Sequence, residues 1–298
     1  MGNRLLFKRP HPVQDTYLQC FDRSLQSWSL RNPIGAIMVD SISETFQRCW
    51  RQDGYLKLAG FLSGQETADA RVWVNEISSW PPSQSKWMHH QELTARGDVR
   101  LARTENFVPF HAGMKSLLME GKLLDALEEL MGEPAVLYKE KINYKYPGGG
   151  GYAAHQDAPA YEFIKHHVTC LVTIDPMREE NGCLFFSPGR HNEGLIALDD
   201  RGCIKTDVAE SLEWTAVPTD PGDVLFFSSF APHKSPPNTS DEPRRAIYLT
   251  YNALVEGDFR ERYYEDKRQA FETYKSSGSD KAQQISKIGH FQGKTVTQ

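Results

Sequence analysis

Apolar and polar positions along this chain follow two different periods. In the first half they recur at helical spacing. Ser41 and Glu44 stand ahead of Ile42, Phe46 and Trp50, and Ser63 and Glu66 repeat the arrangement ahead of Val72, Trp73 and Ile77. A hydroxyl and a carboxyl three positions apart can each cap a free backbone N–H of the other, so two amphipathic helices are expected, separated by the apolar stretch Tyr55 to Leu62. A third helix is expected over Lys115 to Met131, with Leu123, Leu127 and Leu130 on one face and Gly132 as a left-handed C-terminal cap.

From Val136 onward the texture changes to short runs of β-branched and aromatic residues at 136–146, 167–174, 183–187, 214–217, 224–228 and 246–252. Asn181-Gly182 and Pro221-Gly222-Asp223 supply turns between them. This is the pattern of a β-sandwich or barrel. A charged final helix is expected over about 260–276, with Tyr263, Tyr264, Phe271 and Tyr274 along one face. Residues 1–38 show no period and read as an N-terminal arm; 39–298 read as one domain, helical at its start, with a β core over about 135–252.

With 298 residues, 39% of them apolar, the chain can bury the core of one large domain. A net charge of -5 gives no general attraction to nucleic acid or to an anionic membrane. The five cysteines form no Cys-x-x-Cys pair and read as reduced thiols. No run approaches the roughly 18 apolar residues that span a bilayer, and the start MGNRLLFKRP lacks the apolar run of a secretory signal. The expectation is a cytoplasmic protein, monomer or homodimer, acting on a small molecule. Arg4-Leu5 followed by His11 resembles an amino-terminal peroxisomal signal, but Pro12 stands where that signal needs Leu or Ala.

His155-Gln156-Asp157 follows a glycine-rich turn, and alternation in an extended segment points His155 and Asp157 the same way. His233, at the end of the apolar run Val224 to Phe230, could be brought alongside by a strand. Two imidazoles and one carboxylate make the facial triad used by non-haem iron(II), which leaves positions for a bidentate 2-oxo acid and dioxygen. A zinc hydrolase could use the same three ligands, as could a barrel that binds metal without turnover. Arg244 and Arg245 lie eleven and twelve positions after His233. Alternation lets only one of them face the site and grip a distal carboxylate; the other is expected to be solvated.

With these residues in place the chain resembles the phytanoyl-CoA dioxygenase family. The resemblance spans about residues 53–252: Asp53-Gly54-Tyr55 through Gly60-Phe61-Leu62, HQDAPAY around the His-Asp pair, ENG at 180–182, SPGRH at 187–191 and PGDVLFF at 221–227. It implies a mainly β fold with flanking helices, built on a double-stranded β-helix (jelly-roll, cupin-like) core. It implies Fe(II) at His155, Asp157 and His233, with 2-oxoglutarate as co-substrate at Arg244 and O2 as oxidant. From the ectoine-hydroxylase branch it implies that Asn143, Thr169 and Ser235 also touch the co-substrate. Halogenating relatives lack the carboxylate; Asp157 is intact, so hydroxylation is implied.

Lys139, Lys141, Asn143 and Lys145 share one strand face, either lining a cavity or standing solvated on the outside of the barrel. Arg103, Glu105, Asn106 and His111 are expected to form a polar substrate wall, the alternative being an ordinary loop. His166, His167 and His191 read as structural or exposed, and the four glycines 148–151 as a flexible turn beside the ligand strand. KEKINYKYPGGGGYAAHQDAPAY, RTENFVP and RRAIYLTYNA look most like the 2-aminoethylphosphonate dioxygenase branch, which implies a phosphonate dianion bound by Lys139, Lys141 and Arg103, with Asn106 and Tyr161 beside it. The alternative is a tailoring oxygenase for a larger apolar metabolite, walled by Trp87, Phe107, Tyr152 and Tyr161.

Overall fold

A computed structural model describes residues 46–161, 163–277 and 290–296, all of which belong to one compact unit. The N-terminal arm, the Arg4–His11 pattern and the Ser41/Glu44 cap lie outside the described residues, as do the side chains of Phe271 and Tyr274. In chain order the elements are α1 (46–53), β1 (Tyr55–Leu58), α2 (Gly64–Ser78), β2 (Met88–Leu93), β3 (Val99–Glu105), α3 (Ala112–Met119), α4 (Lys122–Met131), β4 (Ala135–Lys145) and β5 (Tyr152–His155). They continue with β6 (His167–Thr173), β7 (Leu184–Phe186), α5 (Thr206–Ser211), β8 (Thr215–Val217), β9 (Val224–Ser228), β10 (His233–Ser235), β11 (Arg244–Ala253), α6 (Arg260–Ser277) and β12 (Lys294–Val296).

Two antiparallel sheets carry the site. The larger has eight strands in the order β1-β9-β6-β11-β4-β3-β2-β12, and the smaller has four in the order β5-β10-β7-β8. They enclose an apolar cluster that includes Leu171, Leu225, Phe227, Ala246 and Tyr248 from the large sheet and Leu184, Phe186 and Val217 from the small one. Burying side chains of this size contributes roughly 1.5–3 kcal/mol each. Alternation sends their neighbours Cys170, Phe226 and Tyr251, also buried, to the opposite face. There Phe61 meets Phe226 edge-on and the Tyr251 hydroxyl donates to the Leu118 carbonyl. This is the double-stranded β-helix implied by the sequence resemblance.

The Ser63/Glu66 capping box forms as expected at α2. Its buried stripe is Ala70, Val74 and Ile77, however, and Val72 is 52% exposed. The third expected helix is two: Gly121, at a φ of 66°, breaks it between α3 and α4. Leu123, Leu127 and Leu130 are buried and Gly132 takes the left-handed cap, as the spacing predicts. The β2–β3 hairpin and β12 have no counterpart among the expected elements. Glu140, on the face of β4 turned away from the small sheet, anchors α6 through Arg260 at 2.6 Å and the Tyr264 hydroxyl at 3.2 Å.

The glycine run is tightly packed, which corrects the expectation of a flexible turn. A Cβ on Gly150 would lie 2.4 Å from the Gly293 backbone, so glycine is needed there for close approach.

Candidate functional site

Edge strand β5 delivers His155, and the turn after it delivers Asp157. Strand β10 pairs antiparallel with β5, with His233 opposite His155. One ligand atom from each of the three side chains lies within 4.8 Å of the others. His155 Nδ1 donates to the Ala153 carbonyl at 2.7 Å and His233 Nδ1 to the Ala231 carbonyl at 3.0 Å. A carbonyl only accepts, so both rings carry their proton on Nδ1 and keep the Nε2 lone pair free for a metal. Thr169 donates its hydroxyl to Asp157 Oδ2 at 3.0 Å, leaving Oδ1 toward His155 Nε2 at 3.8 Å.

Burial pushes the His155 and His233 imidazoles below their usual range, which keeps them neutral. Burial alone would raise the Asp157 carboxyl, but the net shift is downward, toward the carboxylate, among the basic groups that surround it. Two neutral nitrogens and one anionic oxygen fit a divalent first-row ion.

Gln156, between the ligands, points the other way and is fully buried. Its amide donates to the carbonyls of Gly194 (2.8 Å) and Phe230 (2.7 Å) and accepts from the Ile196 N–H (2.8 Å), pinning the ligand turn to two loops. His290 is a second residue without a sequence signal. Its ring lies against that of His155, with centroids 3.8 Å apart and the planes tilted by 36°.

A partly open pocket contains the three ligands and has Lys141, Asn143, Tyr152, Ser235 and Tyr248 among its walls. Arg244 is fully buried on β11. It donates from Nη2 to the Tyr248 hydroxyl at 3.0 Å, while its Nε and Nη1 have no partner. Such orphaned guanidinium donors suit a carboxylate brought by a ligand. Opposite Arg244 in the β4–β11 register is Lys145, which donates to the Pro236 carbonyl at 2.6 Å and to Ser235 Oγ. Ser235 itself donates to the Gly182 carbonyl at 2.8 Å. Asn143 lines the pocket with its side-chain oxygen unpaired. The Thr169 hydroxyl, by contrast, is committed to Asp157.

Arg245 is not solvated, contrary to expectation. It leaves the opposite face of β11 and forms a two-point pair with Asp175 at 2.6 and 2.9 Å, with a further bond to Asn75.

The lysine face of β4 turns inward. Lys139, Asn143 and Lys145 are buried, and the ammonium groups of Lys139 and Lys141 face the rings of Tyr161 (4.4 Å) and Tyr248 (5.3 Å). Burial, then Arg103, pushes the Lys141 ammonium down to about 8. Arg103 joins Glu105 (3.2 Å) and the Tyr152 hydroxyl (3.1 Å), and Tyr161 bonds the Thr250 hydroxyl at 3.0 Å.

Asn106 and His111 are not brought to the pocket. Asn106 sits at a φ of 58°, with its amide spent on the Lys86 carbonyl and Arg260. His111 caps α3 through Met114 N–H and pairs with Glu76. Of the two adjacent histidines, His166 is exposed and His167 is buried against Tyr161, ring centroids 4.4 Å apart. Cys49, Cys170, Cys183 and Cys203 are all buried. Among the described residues no helix is long and apolar enough to cross a membrane.

The chain is 60% identical over 249 residues to a methylphosphonate hydroxylase of Gimesia maris, covering 84% of this chain and 95% of the relative. It is 42% identical to a 2-aminoethylphosphonate dioxygenase from an uncultured bacterium, over 74% of this chain and 86% of that one. Among solved structures, the epimerase SnoN in complex with Fe3+, alpha ketoglutarate and nogalamycin RO superposes with a TM-score of 0.63 at 21% identity, over 72% of this chain and 85% of that one, a likeness of fold. Residues 50–246 match the phytanoyl-CoA dioxygenase (PhyH) family, and with these relatives and the assembled His-Asp-His cluster the chain belongs to that family of Fe(II)/2-oxoglutarate-dependent oxygenases.

Proposed function

We propose that this protein hydroxylates the carbon next to phosphorus in a small phosphonate, and that His155, Asp157 and His233 hold the iron while Arg244 grips the far carboxylate of 2-oxoglutarate. When bound, iron and 2-oxoglutarate supply the activation of dioxygen and the oxidation of a C–H bond, with release of succinate and carbon dioxide. This chain's residues bind, orient and exclude water. Arg244 fixes the co-substrate by its two unpaired donors. Lys141, on the pocket wall, attracts the phosphonate dianion, with Lys139 behind it on the same inward face of β4.

The observation that carries the substrate class is this cationic inner face, together with the 60% identity to a methylphosphonate hydroxylase. The pocket also favours a substrate without an ammonium group: Asp157 is the one carboxylate among its described lining residues, and nearby Glu105 is already held by Arg103, Lys267 and His90. An ammonium there would be buried without a counter-charge. The aromatic walls considered for a bulky apolar substrate lie mostly away from the pocket. Of the four aromatic residues considered for it, only Tyr152 lines the pocket, while Trp87 packs on Trp80 and Phe107 is fully buried.

The test is succinate formation by purified protein with Fe(II), 2-oxoglutarate and oxygen, comparing methylphosphonate, 2-aminoethylphosphonate and their carboxylate analogues. Stimulation by methylphosphonate above 2-aminoethylphosphonate is expected. Stimulation by neither phosphonate would reject the substrate class, and absence of succinate with every substrate would reject the oxygenase roles given to the site residues. We place the enzyme in the cytoplasm, where a small polar substrate is accessible to it.

A further inference from the structure

The described C-terminal residues 290–296 return to the strand that carries His155. The Ala153 N–H donates to the His290 carbonyl at 2.8 Å and the Gln292 N–H to the Gly151 carbonyl at 2.9 Å. Tyr152 and Phe291 form an antiparallel bridge, and their rings lie 5.3 Å apart. Three residues on, β12 pairs with β2 in the large sheet. One short segment thus fastens the edge of the small sheet to the edge of the large one, beside the pocket.

His290 is the point at which this segment meets the ligand cluster. Its ring is buried and backs His155 at 3.8 Å, while His233 lies 4.1 Å from His155 between centroids. His290 Nε2 donates to the Gly202 carbonyl at 2.8 Å, which fixes the ring plane. The segment also reaches His155 through the backbone. Ala153 has its N–H held by the His290 carbonyl and its carbonyl by His155 Nδ1, so this one residue, through the peptide groups on either side of its Cα, links the position of the C-terminal segment to the imidazole. Outer groups of this kind set ligand orientation, and their loss typically weakens metal binding about 10–100-fold.

We infer that His290 is a positioning residue of the metal centre, and that the C-terminal segment is a working part of the site, pressing the His155 imidazole into ligating orientation. The inference rests on His155 being a metal ligand.

The experiment is anaerobic titration of metal-free full-length protein with Co(II), followed by its visible absorption, in wild type and in His155→Ala, His290→Ala, His290→Phe, His290→Gln and Gly293→Val. His155→Ala should lose binding. His290→Ala and His290→Gln should bind roughly tenfold more weakly with altered bands, while His290→Phe, which keeps a flat ring against His155, should recover most of the affinity. Gly293→Val, whose side chain would collide with Phe291 and Glu92, should reproduce the His290→Ala spectrum with His290 intact. Wild-type affinity and bands in His290→Ala, with binding lost in His155→Ala, would overturn the inference and leave the ligand reading standing. Unchanged binding in His155→Ala would overturn the ligand reading itself. Should His290→Ala fail to fold, the pair Phe and Gln decides: equal losses in both would show that the ring face does not matter and would sink the inference.

Discussion

Thr169 donates its hydroxyl to Oδ2 of Asp157 at 3.0 Å, from a strand of the large sheet to the turn that follows the small one. The bond selects which carboxylate oxygen faces the histidines. Thr169→Val keeps the shape and removes the donor, so Fe(II) affinity should fall about 10-fold or more, measured by competition with a chelator. Thr169→Ser should restore most of it. Equal affinity in Val and wild type would show that the turn alone orients Asp157.

Arg244 and Arg245 are adjacent and serve opposite faces of β11. Arg244→Lys removes the two-point grip; at about 1.5–3 kcal/mol for a charge-assisted bond, the KM for 2-oxoglutarate should rise roughly 10- to 100-fold. Arg245→Ala should leave that KM unchanged and lower thermal stability, because it leaves the largely buried Asp175 unpaired. Steady-state kinetics and a melting curve on the two variants check both halves.

Lys141 titrates near 8 in the free protein because burial disfavours its charge. A lysine must be protonated to attract a dianion, so substrate capture is strongest below about 8 and declines as pH rises through it. kcat/KM for the phosphonate, which reports the free enzyme, should show that descending limb. Lys141→Arg, charged throughout, should remove it. Stability runs the other way: the depressed value means that the charged form strains the fold, a cost present below about 8 and relieved as pH rises toward the ordinary lysine value.

Gln156→Leu leaves two carbonyls and one N–H without partners in the interior. At roughly 1–3 kcal/mol for each unsatisfied group, the variant should lose at least about 2 kcal/mol of stability in urea and bind metal more weakly. A stability within about 0.5 kcal/mol of wild type, the usual range for surface substitutions, would mean that the turn does not depend on Gln156.

Much of this was legible in the chain because a strand alternates with period two. That His155 and Asp157 point the same way, and that Arg244 and Arg245 point opposite ways, follows from which residues share a face; His233 as third ligand and Arg244 as the inward arginine come from the family spacing. The strands 167–174 and 224–228 were legible because both their faces are buried, and such strands read as continuous apolar runs. The β2–β3 hairpin was not, since MHHQEL and VRLARTE are mostly polar and resemble a loop. Lys139 and Lys141 stayed ambiguous for a different reason: a strand face turned to a polar cavity has the same composition as one turned to water. His290 left no trace at all. It lies outside the family match and gains its significance only from the return of the chain to β5.

That return also bears on solubility. β5 ends the small sheet and β2 would otherwise end the large one, and an uncovered strand edge is a template on which other chains can assemble. Phe291 occupies the first edge, while Lys294–Val296 replaces a six-residue edge by a three-residue one that opens with a lysine. A chain clipped before residue 290 would expose both edges together, so proteolytic trimming of this end should announce itself first as turbidity and fibrous self-association.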